Sequence, residues 1–355
     1  MVGHLLDLGP TRGSPRHVAG HHRCRAIRLR DGATAAAAGD QRREARSPGS
    51  VGREARRHRV QEPSRADGLI ERLEWSLIPA VPVPFRGSQI DVEAQRTYAT
   101  WMARQAVAGV AVWAHTGRGP HLSAEQRRLV LSTWRSALPG KVIVAGANAV
   151  EMARDAKRGG ADALLAFPRR AHAVDYHQEL GRELPVIAFH LYEAAGGVDY
   201  DNETLHGILS LPAVIGIKVA TLDSVMTFQR VAAVMRDHPD KLLITGEDRF
   251  LGYSLMMGAR AALIGMGAAL TELQALLLRA FASGDDHAFL RLAALLDAFS
   301  QATFRDPMEG YIRRMLWALA AEGVIPDEAC DDPWGPALPD SDRDIVRRAV
   351  REARG

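Results

Sequence analysis

From residue 75 onward, short unbroken apolar runs alternate with stretches in which apolar residues recur at helical spacing. The runs Trp75–Val83, Val110–Ala114, Val142–Ala145, Ala163–Phe167, Pro185–Phe189, Val214–Lys218, Leu242–Thr245 and Ala261–Ile264 are predicted strands. Predicted helices cover Asp91–Val107, Ser123–Ala137, Ala149–Arg158, His172–Gly181, Asn202–Leu209, Leu222–Arg236, Phe250–Met257 and Ala268–Ala282. Ser123 is placed as an N-cap with Glu125 in the first turn, and Gly159-Gly160 closes the third of these helices. The strands are continuous rather than alternating, as expected when both faces of a parallel sheet are covered.

Eight such pairs predict a closed (β/α)₈ TIM barrel over residues 71–284. A doubly wound open sheet is the alternative. It usually carries a glycine-rich phosphate loop after its first strand, and here that loop reads Val83-Pro84-Phe85-Arg86-Gly87. Beyond the barrel, residues 285–355 are predicted as a C-terminal helical extension, with helices over Asp286–Thr303, Pro307–Ala321 and Ser341–Arg354. They are expected to pack on the barrel or to form an oligomer interface.

Composition changes the picture mainly at the N-terminus. Apolar content of 47% and charged content of 25% are ordinary globular values. Residues 1–68 hold 14 Arg and no Lys against 7 Asp and Glu, so the net charge of +3 leaves the rest of the chain at about −4. Residues 1–70 are therefore expected to be a disordered basic arm, and a miscalled start is the simplest origin for it. A nucleic-acid-binding tail is the competing reading, and the acidic remainder argues against nucleic acid as a partner. No run of 18 or more apolar residues occurs, so no membrane partner is expected. No signal-peptide pattern is read. Cys24 and Cys330 are too few for a disulfide framework or a zinc site, which suits a cytoplasmic location.

Candidate chemistry centres on Lys218. The chain has four lysines against 41 arginines, and Lys218 alone closes an apolar run, Val214-Ile-Gly-Ile-Lys218. Desolvation at a strand exit lowers a lysine pKa, and a neutral amine can attack a carbonyl to form a Schiff base. Arginine cannot. Active sites of such barrels lie at the C-terminal strand ends. Those ends carry His115-Thr116-Gly117, Arg169-Arg170, Phe189-His190 with Tyr192, Glu247-Asp248 and Gly265. Thr116 and the Gly117 N–H can hold a carboxylate, with Phe189, Glu247 and Gly265 as further substrate-binding positions. His115, His190 and Tyr192 are the acid/base candidates. A small-molecule 2-keto acid satisfies the carboxylate site and the lysine together, with no cofactor and no metal. The bland alternative is a structural lysine paired to Glu247 or Asp248.

These residues resemble the dihydrodipicolinate synthase/N-acetylneuraminate lyase family of class I aldolases. The landmarks fall in order: Ile78-Pro-Ala-Val-Pro-Val-Pro84-Phe85, Ala114-His-Thr-Gly-Arg118, Val144-Ala-Gly146-Ala-Asn148, Ile215-Gly-Ile-Lys218-Val-Ala220 and Leu243-Ile-Thr-Gly246-Glu-Asp248. The resemblance implies a homo-oligomeric lyase, a Schiff-base retro-aldolase or dehydratase, acting on pyruvate or a related 2-keto acid through Lys218. The chain also departs from the pattern. The first threonine of the family's Thr-Thr pair is His115, and its glutamate is Arg118. The fourth-strand tyrosine falls at Arg169 or Arg170, and the fifth-strand tyrosine at Phe189. Only a shifted loop would let Tyr192 replace the latter. The arginine that grips a second substrate's carboxylate falls at Ala194 or Ala195. The alternative is a catalytically altered barrel that binds a small carboxylate as a sensor or structural paralogue.

Overall fold

The computed structural model describes residues 65–222 and 224–355. Most of the expected arm, residues 1–64, lies outside them. The first described element is helix α1 (Arg65–Leu73), which occupies the last positions of the segment expected to be arm.

Eight parallel strands follow: β1 (Leu77–Pro79), β2 (Gly109–Val112), β3 (Val142–Ala147), β4 (Ala163–Ala166), β5 (Val186–Leu191), β6 (Val214–Ala220), β7 (Leu242–Thr245) and β8 (Ala261–Ile264). They pair in the order β1-β8-β7-β6-β5-β4-β3-β2. The ring closes between its ends, where Ala108 N–H donates to the Leu77 carbonyl (3.2 Å) and Val81 N–H to the Ala111 carbonyl (3.1 Å). Helices α2 (Val92–Ala103), α3 (Ala124–Ala137), α4 (Val150–Arg158), α5 (Ala173–Gly181), α6 (Asn202–Leu209), α7 (Val225–Met235), α8 (Leu251–Met256) and α9 (Thr271–Ser283) form the outer layer. The extension adds α10 (Asp286–Thr303), α11 (Tyr311–Ala321) and α12 (Asp340–Arg354). Among the described residues no helix is long and apolar enough to cross a membrane.

The period of two along each strand sorts side chains into two cores. One fills the barrel axis with Ile78, Val144, Leu165, Ile187, Phe189, Ile215, Ile244 and Leu263, and Leu69 and Leu73 of α1 pack into the same cluster. The other lies between strands and helices and holds Val112, Ile143, Leu164, Ala188, Ile217 and Val219. The strands are buried throughout, which is why they read as unbroken apolar runs.

Several boundaries differ from expectation for local reasons. The first strand is only three residues long, because prolines at 79, 82 and 84 have no N–H for a ladder. Strand β6 runs two residues past Lys218. Helix α7 starts at Val225 rather than Leu222, because the N–H groups of Thr221 and Leu222 are spent on the Glu247 carboxylate (2.7 and 2.8 Å). Ser224 then caps it, accepting from Thr227 N–H at 3.2 Å. Ser123 caps α3 with Glu125 in the first turn, as expected, and Gln126 completes a reciprocal capping box.

Candidate active site

Lys218 lies on β6 directly across from Phe189 on β5. Its neighbours Ile217 and Val219 face the helices, so Lys218 itself enters the barrel axis, where it is 5% exposed. Gly246 on the adjoining strand exit makes room, since a Cβ there would stand 2.5 Å from the Lys218 Cε. The ammonium nitrogen stands 4.3 Å from the centre of the Phe189 ring. Among the described residues the amine makes no hydrogen bond and no ion pair. Burial pulls its pKa below the ordinary lysine range, against the opposing charges of Asp248 and Glu247.

The two carboxyls that might have paired with it are engaged elsewhere. Glu247 accepts from Thr221 N–H (2.7 Å), Thr221 Oγ1 (2.9 Å) and Leu222 N–H (2.8 Å). Burial still pushes this carboxyl up to about 8. Glu247 is thus a brace holding the β6 exit, where Leu222 takes a φ of +58°. Asp248 accepts from Met266 N–H at 2.6 Å, and burial likewise raises its pKa, with Lys218 opposing.

The loop after β2 forms the opposite wall. Arg118 N–H donates to the His115 carbonyl (3.0 Å) and Gly119 N–H to the Ala114 carbonyl (3.2 Å), closing a tight turn. Among the described residues the Thr116 and Gly117 N–H groups have no protein acceptor. Gly117 packs against the Val81 carbonyl, which a Cβ would approach to 2.9 Å. Thr116 is buried. Two free N–H groups beside a buried hydroxyl suit an anionic oxygen.

The C-terminal extension enters this wall, which the sequence did not foreshadow. The segment expected to begin a helix at Pro307 instead makes a short 3₁₀ turn, Met308–Gly310, before α11. That turn delivers Glu309 and Tyr311. The Tyr311 hydroxyl lies 3.0 Å from Thr116 Oγ1 and 3.1 Å from His115 Nδ1. His115 Nε2 lies 3.3 Å from the Glu309 carboxylate, and Tyr192 Oη donates to the same carboxylate at 2.6 Å. Burial would raise Glu309, but His115, Tyr192 and Arg118 outweigh it and hold this carboxyl at about 2. Burial raises both tyrosines well above their ordinary pKa. Gly265, at the end of β8, lies under the Tyr311 ring and Thr116, at 3.0 and 3.1 Å from where a Cβ would be.

Arg118 explains how the loop tolerates its charge. It is buried and forks onto Asp332 (3.1 and 2.7 Å), with a third contact to Glu309 at 3.3 Å. The 304–310 segment is held in turn by Arg314, fully buried, which donates to the carbonyls of Arg305 (2.6 Å), Asp306 (3.0 Å) and Pro307 (3.2 Å) and pairs with Asp342 at 2.7 Å. Phe304 stacks on Tyr311 with ring centres 4.6 Å apart.

The structure therefore brings Lys218, Phe189, His115, Thr116, Gly117, Tyr192 and Gly265 to one end of the barrel. His190 is not among them. With Phe189 facing inward, the strand period turns His190 to the helix side, where it contacts Asp199 (3.3 Å) and the Tyr200 ring. Burial lowers its pKa to about 4, outweighing Asp199. It lines a cavity of ≈ 300 Å³ on the helix side with Asp199, Thr221 and Ser224, which Tyr192 also borders. Glu247 is adjacent but occupied as a brace. Arg169 and Arg170 stand on the rim, where Arg170 pairs with Glu193 at 3.2 Å. Glu309, Tyr311 and Asp332 were missed. The one available signal was Arg118, a charge in a buried loop that demands an acidic partner from elsewhere in the chain.

The dihydrodipicolinate synthetase family matches residues 75–353. The 4-hydroxy-tetrahydrodipicolinate synthase of Ruegeria pomeroyi is 27% identical over 186 residues, covering 48% of this chain and 63% of that protein, under two thirds of its length. The same enzyme from Hyphomonas neptunium is 29% identical over 273 residues, covering 71% of this chain and 89% of that protein. The crystal structure of dihydrodipicolinate synthase from Agrobacterium tumefaciens superposes with a TM-score of 0.70 at 21% identity, covering 80% of this chain and 99% of that one. The chain belongs to the dihydrodipicolinate synthetase family.

Proposed function

We propose that the protein is a Schiff-base lyase, an aldolase or dehydratase that acts on pyruvate or a related 2-keto acid through Lys218. The observation that carries this reading is the unpaired Lys218 amine, desolvated inside the barrel mouth and lacking any hydrogen-bond partner among the described residues. Such an amine loses its proton at lower pH than a solvated lysine and attacks a ketone as a nucleophile. The substrate carboxylate rests on the Thr116 and Gly117 N–H groups and the Thr116 hydroxyl. The 2-keto carbon then faces the lysine. Addition gives a carbinolamine and loss of water gives the iminium, which accepts the electron pair of the neighbouring carbon–carbon bond in retro-aldol cleavage, or of the neighbouring C–H bond whose loss gives the enamine that then expels water in dehydration. His115 and Tyr192 are the acid/base groups on this wall.

A barrel that binds a carboxylate without turnover is less well supported, because among the described residues nothing hydrogen-bonds or pairs with the Lys218 amine. The synthase activity of the relatives is not assigned to this chain, since the second substrate's arginine is replaced by alanine. The test is release or consumption of pyruvate with a panel of 4-hydroxy-2-keto acids and sugar-derived 2-keto acids. Turnover that Lys218→Ala abolishes supports the reading, and turnover unchanged in Lys218→Ala refutes it.

A further inference from the structure

We propose that Tyr311, carried into the barrel mouth by the C-terminal extension, is the proton-transfer group for imine chemistry at Lys218, with His115 and Glu309 behind it as its relay. This role rests on the Schiff-base reading above. It starts from a deficiency: the group beneath the Lys218 amine is the Phe189 ring, which has no proton to give. The hydroxyls at this end of the barrel instead belong to a connected series. Thr116 Oγ1 meets Tyr311 Oη at 3.0 Å, Tyr311 Oη meets His115 Nδ1 at 3.1 Å, and His115 Nε2 meets Glu309 Oε2 at 3.3 Å. Glu309 Oε1 also accepts from Tyr192 at 2.6 Å. Gly246, against the Lys218 Cε, and Gly265, against the Tyr311 ring, stand at the exits of the adjoining strands β7 and β8, and Asp248 joins these exits by accepting from Met266 N–H at 2.6 Å.

The series has a direction. Glu309 is held ionised and can only accept, so His115 presents Nε2–H to it. The other ring nitrogen, Nδ1, then faces Tyr311. When Nδ1 is bare it accepts the phenol proton, and when it carries a proton it donates to the phenol oxygen. Dehydration of the carbinolamine uses the second state. The phenol proton passes to the carbinolamine hydroxyl, and the C–O bond breaks with its electron pair on the departing water. The Lys218 nitrogen lone pair forms the C=N bond of the iminium. The Nδ1 proton of His115 replaces the one lost from Tyr311, leaving a neutral phenol and a neutral imidazole. Hydration of the iminium runs the same path backwards.

The surroundings are built to hold Tyr311 in place rather than merely to bury it. Its ring stacks between Phe304 (4.6 Å) and His115 (6.1 Å). Arg314 pins the carbonyls of the preceding turn, and Gly310 leaves no room for a side chain, since a Cβ would stand 2.7 Å from Leu338. A tyrosine with a purely structural role needs one partner for its hydroxyl. This one has two among the described residues, on His115 and on Thr116, which itself carries one of the two free N–H groups.

The test measures how fast the full-length protein forms a borohydride-trapped adduct with pyruvate, in wild type, Tyr311→Phe and Glu309→Gln, with melting temperatures alongside. Tyr311→Phe keeps both ring stacks and removes only the hydroxyl. The proposal expects it to melt within a few degrees of wild type and to form the adduct about 100-fold more slowly, with the half-saturating pyruvate concentration little changed. Glu309→Gln leaves Tyr311 in place and is expected to slow the adduct about 10-fold. A wild-type rate in a folded Tyr311→Phe protein overturns the proposal, and if that variant does not fold, a wild-type rate in Glu309→Gln overturns it. Absence of any adduct in the wild type refutes the Schiff-base reading itself, and this role with it.

Discussion

Lys218 and Phe189 are register partners on neighbouring strands, and the amine of one stands 4.3 Å over the ring of the other. The ring face offers the ammonium a cation–π contact worth about 0.5–2 kcal/mol when desolvated, and nothing else among the described residues binds it. Replacing Phe189 with Leu removes that contact while keeping the site apolar. The ammonium then loses stabilisation and the amine pKa falls by roughly 0.4–1.5 units. The acid limb of the pH–rate profile for imine formation should move to lower pH. A shift to higher pH would mean that the ring hinders the charge rather than stabilising it.

The Arg118–Asp332 fork ties the loop after β2 to the chain beyond α11. Both side chains are nearly inaccessible, at 7% and 1% exposure. Asp332→Asn leaves a buried guanidinium with only Glu309 to balance it. We expect a loss of about 3–5 kcal/mol, read as a lower urea midpoint at unchanged slope. Replacing both partners with apolar residues of similar volume, as in Arg118→Met with Asp332→Leu, should recover much of that loss. A single Asp332→Asn variant as stable as wild type would show that the pair is effectively solvated.

His190 predicts a pH dependence with a definite sign. Its pKa falls from 6.5 to about 4 on folding, chiefly through burial, even though Asp199 pulls it the other way. Above pH 6.5 neither state carries the proton. Between 6.5 and 4 the unfolded chain takes it up while the folded chain does not, so stability falls as pH falls, by about 3 kcal/mol in all. His190→Gln should lack this component, and its denaturation midpoint should change less than that of wild type between pH 7 and 4.5. Parallel losses in both proteins would assign the acid sensitivity to other groups.

Much of the fold is legible in the sequence alone. The eight-unit alternation is a direct reading of strands buried on both faces, and the positions of β7, β8 and α6 follow from it without adjustment. Lys218, Thr116 and Gly117 were legible because a barrel concentrates its chemistry at one set of strand ends. His190 was placed in the site because it sits at such an end, yet the period of two turns it outward once Phe189 faces in. Tyr192 reaches the site through Glu309 rather than through Lys218. Tyr311, Glu309 and Asp332 were not legible, because their contacts with the loop after β2 span roughly 190 residues or more of sequence and no local pattern records such pairings. A helical period near Pro307 reads as packing, and only the turn before α11 converts it into a supply of functional groups.

The central claim is that Lys218 is the nucleophile. The most direct measurement is peptide mapping by mass spectrometry after borohydride reduction in the presence of 2-keto acids. The account predicts a single reduced adduct, located on Lys218 and absent from Lys141, Lys157 and Lys241. An adduct confined to another lysine, or none across the panel with folded protein, would contradict it.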